Sequence, residues 1–433
     1  MIAMRRFELA VRNGIVLTMD SEMRVYNPGS IGISEGRISY VGGDEIKGEE
    51  EIDARGCIVI PGLVNCHTHS PMTLFRNAVE DQPLEKWLKE YVWPVEAKLK
   101  PEHVRVGAML AAAEMALHGI TCFNDMYFFM EEVAKAAVEI GIRGVLSEGL
   151  VELFSSRSSE EILRKGVSFA ERYHGWKGLI WAALGPHAEY SCSLEFLERV
   201  REEADRLGVG IHIHLAEVKP PVDEFVEKHG KTPVQALDEI GFLKRDVIIA
   251  HGIYLSDEDL KILRRRDVAI AYNPVSNMKL ASGAARIDEM LRLGIRVGLG
   301  TDGPGSNNTL DMIQDMKIAS LLQKLRYMDP RSLPARSAVR MAARGGAEAL
   351  GLDDLIGSIE VGKRADIVVI DTRKVRYQPI RDPYTALTYC GSGTDVKDVI
   401  VDGKIVVKDG ALQTADLEEI LKKFSDAVAD LFQ

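Results

Sequence analysis

Cysteine is scarce in this chain, and what there is lies scattered. The five residues Cys57, Cys66, Cys122, Cys192 and Cys390 are odd in number and contain no Cys-x-x-Cys pair. That excludes a disulfide framework and a cysteine-ligated zinc centre of the Cys-x-x-Cys deaminase kind. Several of these thiols sit in apolar runs, as buried free cysteines do, and point to a reducing, cytoplasmic compartment. No apolar run approaches the ~18 residues of a membrane-crossing helix. Met1-Ile2-Ala3-Met4-Arg5-Arg6 leads into no apolar stretch with a cleavage site, so a secretory leader is not expected. An excess of positive charge is missing as well. The formal net charge is -11, no Lys/Arg cluster is interleaved with aromatics, and Arg264-Arg265-Arg266 reads as the solvated end of a helix. Nucleic acid is therefore excluded as a partner.

What is present is an ordinary globular composition, 46% hydrophobic and 27% charged, over 433 residues. That length exceeds one small core. Residues 7–60 read as short strands, Phe7–Thr18, Ser30–Ser34, Arg37–Val41 and Cys57–Ile60, punctuated by Asn13-Gly14, Glu35-Gly36 and Gly42-Gly43. From Pro61 strand-length apolar runs alternate with helix-length segments. The runs are Gly62–His69, Thr121–Met126, Arg143–Gly149, Ile180–His187, Gly210–Glu217, Val247–Ile253, Ala269–Pro274 and Arg296–Asp302. Between them lie amphipathic helices such as Glu102–His118, Leu194–Leu207 and Ser256–Arg266, the last with Ser256 as N-cap. Eight such alternations mark an α/β fold of the (β/α)8 TIM-barrel type, whose strands are near-continuously apolar because both faces are buried. Strand patterning returns at Ser358–Val361, Ala365–Asp371, Val399–Val401 and Lys404–Val407, and a helix is expected over Asp416–Leu431. The two β-rich ends, each too small alone, are expected to join in one β-sandwich domain. The expected organisation is thus 1–60 (sandwich, N-terminal part), 61–354 (barrel) and 355–433 (sandwich, C-terminal part, with the terminal helix).

Chemistry in such barrels sits at the C-terminal ends of the strands. Those ends carry His67 and His69, Asp125, Glu148, His187, His212 and His214 with Glu217, His251, Asn273 and Asp302. Six of the ten histidines fall there. An isolated His-x-His is a common surface accident, and His212 alone reads equally well as a core residue, but the set does not. Histidines one apart on a strand point the same way and can grip one ion. Three or four of these groups suffice for one divalent ion with a position left for water, the plan of a catalytic site. A carboxylate such as Asp302 is placed to take a proton from that water, and Glu217 to carry one to a substrate. The fourth strand, Ile180–His187, contains no lysine, which disfavours a two-metal site bridged by a modified lysine. The long excursion Pro71–Leu99, with Trp87, Tyr91 and Trp93, is a candidate substrate lid.

Over essentially its full length the chain resembles the amidohydrolase superfamily. The marks are Pro61-Gly62-Leu63-Val64-Asn65-Cys66-His67-Thr68-His69, His212-Ile213-His214-Leu215-Ala216-Glu217, His251-Gly252 and Gly300-Thr301-Asp302-Gly303. Within it, Pro71-Met72-Thr73-Leu74-Phe75-Arg76, Trp87, Trp93-Pro94-Val95-Glu96, Gly185-Pro186-His187 and the run Asn273–Gly283 resemble the deaminases of 5'-methylthioadenosine, S-adenosylhomocysteine and 5'-deoxyadenosine. Guanine deaminases and s-triazine hydrolases share part of these marks. The resemblance implies a nucleoside substrate and one divalent ion per subunit, zinc, with Fe2+ and Ni2+ as alternatives. It implies His67, His69, His214 and Asp302 as ligands, Glu217 as proton shuttle to the ring and His251 beside the attacking water. It further implies Glu96 on the ribose hydroxyls, Trp87 packed on the nucleoside, His187 in contact with the substrate, and an assembly of identical subunits. Relatives that accept the amino-acid tail of S-adenosylhomocysteine place an arginine where this chain has Glu148, and Arg157 matches a second such arginine. A carboxylate facing that tail repels it. The alternatives are hydrolysis of another aminated heterocycle, guanine or an s-triazine, and, more remotely, a catalytically silent scaffold. A silent barrel is expected to have lost ligands, and here every one is present.

Overall fold

In the computed structural model residues 6–78, 80–83 and 86–432 are described; Met1–Arg5 and part of the expected lid lie outside them. The chain opens with β1 (Arg6–Leu17), β2 (Val25–Ser34), β3 (Arg37–Gly42), β4 (Lys47–Asp53) and β5 (Cys57–Pro61). Eight strands follow as β6 (Leu63–Thr68), β7 (Ile120–Tyr127), β8 (Arg143–Leu150), β9 (Ile180–Pro186), β10 (Gly210–Leu215), β11 (Val247–His251), β12 (Ala269–Tyr272) and β13 (Arg296–Leu299). They form one parallel sheet in sequential order, with helices between, as the apolar runs require. The helix Leu194–Leu207 has the expected bounds, and Ser256 caps the helix Asp257–Arg266 by accepting from the Asp259 amide at 3.1 Å. The barrel interior is filled by small residues, among them Val64, Cys66, Cys122, Ala183, Ala269 and Ala271, packed against Ala347, Leu352 and Ile356.

The chain then returns to the first sheet. β14 (Ile367–Asp371) pairs antiparallel with β5, and β15 (Val396–Val401), β16 (Lys404–Lys408) and β17 (Ala411–Leu412) extend it. Both chain ends thus build one nine-stranded mixed sheet around a core that includes Leu9, Val11, Ile31, Val59, Ile367 and Ile400. Two local readings differ from the pattern-based expectation. β4, Lys-Gly-Glu-Glu-Glu-Ile-Asp, has almost no apolar alternation; it is a strand because β1 offers it a parallel hydrogen-bonding edge. Ser358–Val361 is no strand: Ile359 donates to the Thr18 carbonyl at 2.7 Å, and Gly362, at φ 97°, turns the chain away.

One buried ion cluster fastens sheet and barrel together. Arg143, at the start of β8 and 1% exposed, donates to both Asp366 oxygens at 2.7 and 2.9 Å and to Asp402 at 3.0 Å. Removing one member of such a cluster strands a buried charge, at a cost of about 3–5 kcal/mol. Arg143→Leu is accordingly expected to lower the urea midpoint of unfolding sharply. Adding Asp366→Leu to it should recover part of the loss; if Arg143→Leu alone leaves the midpoint unmoved, the cluster is not what joins the two units.

Candidate active site

The site forms where the barrel closes on itself. Asn65 on β6 donates to the Thr301 hydroxyl at 2.7 Å and accepts from the Thr301 amide at 3.0 Å, just past β13. The Asp302 amide donates to the His67 carbonyl at 2.9 Å, and the Thr68 hydroxyl to the Asp302 carbonyl at 3.0 Å. This seam brings the first and last strands to one point. Gly300 permits it, because a Cβ there would lie 2.3 Å from Asn273 Oδ1.

Four side chains converge there. Asp302 Oδ1 lies 3.3 Å from His67 Nε2 and 3.5 Å from His69 Nε2, and His69 Nε2 lies 3.2 Å from His214 Nε2. The opposite ring nitrogens report the tautomers. His69 Nδ1 bonds the Met126 carbonyl at 2.6 Å, and His214 Nδ1 bonds the His187 carbonyl at 2.7 Å. A carbonyl only accepts, so both Nδ1 atoms carry the proton and both Nε2 atoms are bare lone pairs. Two lone pairs at 3.2 Å, beside a carboxylate and a buried His67 Nε2 that has no hydrogen-bond partner, are what a cation between them would resolve. His67 Nδ1 is held by His212 Nε2 at 2.8 Å, so His212 orients a neighbour. Burial keeps three of the rings neutral: His67 is pushed down to about 3, and His214 and His212 well below the usual histidine range. The donor set fits a divalent cation.

Around it stand further titratable and hydrogen-bonding groups. Asp302 accepts the Ser276 hydroxyl at 2.6 Å and the Gly303 amide at 2.7 Å. His251 takes a left-handed φ of 73°; its Nδ1 donates to Asn277 Oδ1 at 2.8 Å, which turns Nε2 toward Glu217 Oε2, 3.8 Å away. Burial pushes the Glu217 carboxyl above the ordinary carboxylate range. Asp125 accepts the amide of Ser70 at 3.2 Å and its hydroxyl, and burial pushes it up to about 6.

One cavity contains His69, Glu96, Trp87, His187, His214, Glu217, His251 and Asp302. Its walls are apolar and aromatic, with Leu88, Val92, Trp93, Tyr127, Phe128 and Tyr190 among them. Trp87 is buried, and Glu96 receives the Tyr127 hydroxyl at 2.7 Å. His187 Nδ1 pairs with Ser191 Oγ at 2.9 Å, and burial pushes it down to about 4.

Two expectations need correction. Glu148 does not face the cavity. Strand alternation turns it outward, where it accepts the Phe129 and Met130 amides at 3.3 and 3.1 Å, capping the helix Met130–Ile140, and pairs with Lys165. Arg157 is exposed and lines a separate groove with Glu148, Arg164 and Lys165. Its loop is carried outward because Glu152 binds the Ser193 amide and hydroxyl at 2.8 Å while Leu153 donates to the Ser191 carbonyl. Tyr127, on Glu96, is a contact at the site that the sequence pattern does not single out, whereas Ser276 and Asn277, on Asp302 and His251, fall inside the run Asn273–Gly283.

Residues 58–406 match the amidohydrolase family. The 5'-deoxyadenosine deaminase of Methanosarcina acetivorans is 42% identical over 426 residues, 98% of each chain. The 5-methylthioadenosine/S-adenosylhomocysteine deaminase of Thermoanaerobacter pseudethanolicus is 43% identical over 428 residues, 98% of this chain and 99% of its own. A crystal structure of an adenosine deaminase from Xanthomonas campestris with bound zinc superposes with a TM-score of 0.96 at 32% identity, covering 99% of both chains.

Proposed function

The chain belongs to the amidohydrolase family, and we propose that it hydrolytically deaminates C6 of the adenine ring in a 5'-modified adenosine, giving the inosine analogue and ammonia. The observation that carries this is the joint placement, in one cavity, of His69, His214 and Asp302, with His67 buried against them, the Glu217 carboxyl and the Glu96–Tyr127 pair. A divalent ion held by the cluster, zinc before Fe2+ or Ni2+, supplies Lewis-acid activation of water near neutral pH.

The chain's own residues handle the protons. Asp302 takes one from the attacking water and passes it to the leaving amine, so that ammonia departs. Glu217, kept protonated to higher pH by its burial, delivers its proton to the ring nitrogen as C6 becomes tetrahedral and takes the C6 hydroxyl proton as the carbonyl forms. His251, its Nδ1 tied to Asn277, presents Nε2 to orient the water. The Glu96 carboxylate accepts from the ribose hydroxyls, Trp87 packs on the nucleoside and neutral His187 contacts it.

The 5' end decides among the substrates. Among the described residues, no lysine or arginine lines the cavity; Lys165 is engaged by Glu148, Arg76 by Glu114 and Lys279 by Glu80. An uncharged 5' group enters at little cost, whereas a carboxylate would be desolvated without a partner. The test is a substrate panel followed by the adenine-to-hypoxanthine absorbance change. 5'-Deoxyadenosine, methylthioadenosine and adenosine should be deaminated. S-Adenosylhomocysteine should show a kcat/KM at least about tenfold lower than methylthioadenosine, the equivalent of one lost charged hydrogen bond. Guanine should be inert, and Glu96→Ala should weaken only ribose-bearing substrates. No ammonia from any adenosine with metal loaded sinks the assignment; parity between S-adenosylhomocysteine and methylthioadenosine sinks the charge argument alone.

The five free cysteines, four of them buried, support a reducing, cytoplasmic setting, and no helix among the described residues is long and apolar enough to cross a membrane. Leu321 and Leu325, exposed on the helix Met312–Tyr327, and Met328 just past its end support assembly of identical subunits.

A further inference from the structure

Glu189 is a buried carboxyl to which the proposed reaction gives no task. It follows β9 by three residues, and one of its oxygens accepts the Ala216 amide at 3.2 Å. Ala216 ends the run that leads out of β10 and holds φ at 54°, a left-handed conformation that its Cβ makes costly by ~1–2 kcal/mol. Its carbonyl is held as well, by the Ile253 amide at 2.9 Å and the Tyr254 amide at 3.0 Å. The next residue is Glu217. A strained turn clamped on both of its polar groups fixes the direction in which the following side chain leaves.

We infer that Glu189 is a positioning residue: its bond to the Ala216 amide holds the left-handed turn that aims the Glu217 carboxyl into the cavity. This rests on the reading of Glu217 as the group that protonates the ring. The bond needs an oxygen acceptor of this reach, not a charge. Burial pushes the Glu189 carboxyl up to about 7, and a glutamine amide presents the same acceptor at the same place. Leucine has the bulk without the acceptor, and aspartate is one carbon too short.

The test is kinetic. Glu189→Gln should keep kcat within about threefold of the parent. Glu189→Leu should lower kcat by roughly 10- to 100-fold, the range expected when a buried donor loses its partner at a point where misplacement is costly, with KM changed less than about twofold and metal content unchanged. In a Glu217→Ala background, assayed at high enzyme concentration, Glu189→Leu should cause no further loss, because the residue acts through Glu217. Where the leucine variant does not fold, Glu189→Asp carries the same expectations. A leucine variant with parental kcat overturns the inference. So does an equal further loss in the Glu217→Ala background, or a glutamine variant as damaged as the leucine one. These outcomes differ from failure of the functional reading itself, in which the parent protein too deaminates no adenosine.

Discussion

Changing Glu217 to glutamine is expected to lower kcat by roughly 10²–10⁴-fold, the usual worth of a positioned acid–base group, while the protein keeps its metal and its fold. The carboxyl lies in the catalytic cavity, 3.8 Å from His251 Nε2. It is set in a site where burial favours its protonated form. Adenine is a poor electrophile at C6 until its ring accepts a proton. Glutamine matches the shape of the side chain and can donate a hydrogen bond, but it cannot give up a proton. The loss should therefore fall on kcat, with KM for methylthioadenosine nearly unchanged, because the ribose and aromatic contacts are untouched. Metal analysis must find the same content as in the parent. A variant that keeps more than about a tenth of the parental kcat would assign the proton delivery to another group.

Removing the metal should have the larger effect. Dialysis against a chelator is expected to abolish deamination, and one equivalent of zinc should restore it. Asp302→Ala should abolish it without rescue, since in the proposed reading it deletes both a ligand and the carrier of the water's proton. Stability should follow. The bare Nε2 lone pairs of His69 and His214 stand 3.2 Å apart, and a cation binding only the folded state stabilises it by ~2.7 kcal/mol at a hundred times its Kd. Stripped protein should melt at lower temperature than loaded protein, and Asp302→Ala should melt at one temperature whether or not zinc is added. Full turnover by chelator-treated protein containing no metal would overturn this reading.

All eight barrel strands are legible in the sequence, because a parallel strand buried on both faces must be apolar throughout. Their observed bounds differ from the expected ones by only a few residues. β4 escapes such reading because its hydrogen bonds come from β1, while its glutamates face solvent. Ser358–Val361 misleads because Ser-Ile-Glu-Val alternates like a strand, yet Gly362 turns the chain. The pattern puts Glu148 near the right strand end but on the wrong face, since the exact end of β8 decides which side chains enter the cavity. Arg157 lies in a loop whose course depends on Glu152 gripping Ser193, a contact 41 residues apart.

The strand rhythm and the inventory of chemistry are written locally, in burial on both faces and in the histidine-and-acid spacing. How that inventory is set to work depends on contacts that form when the barrel closes. The proton positions on His69 and His214 follow from the carbonyls of Met126 and His187, and the ring of His67 follows from His212. The aim of Glu217 follows from a turn held by Glu189 and by the amides of Ile253 and Tyr254. Each of these is a hydrogen bond to a residue distant in the chain. Its energy and direction exist only once the barrel has closed.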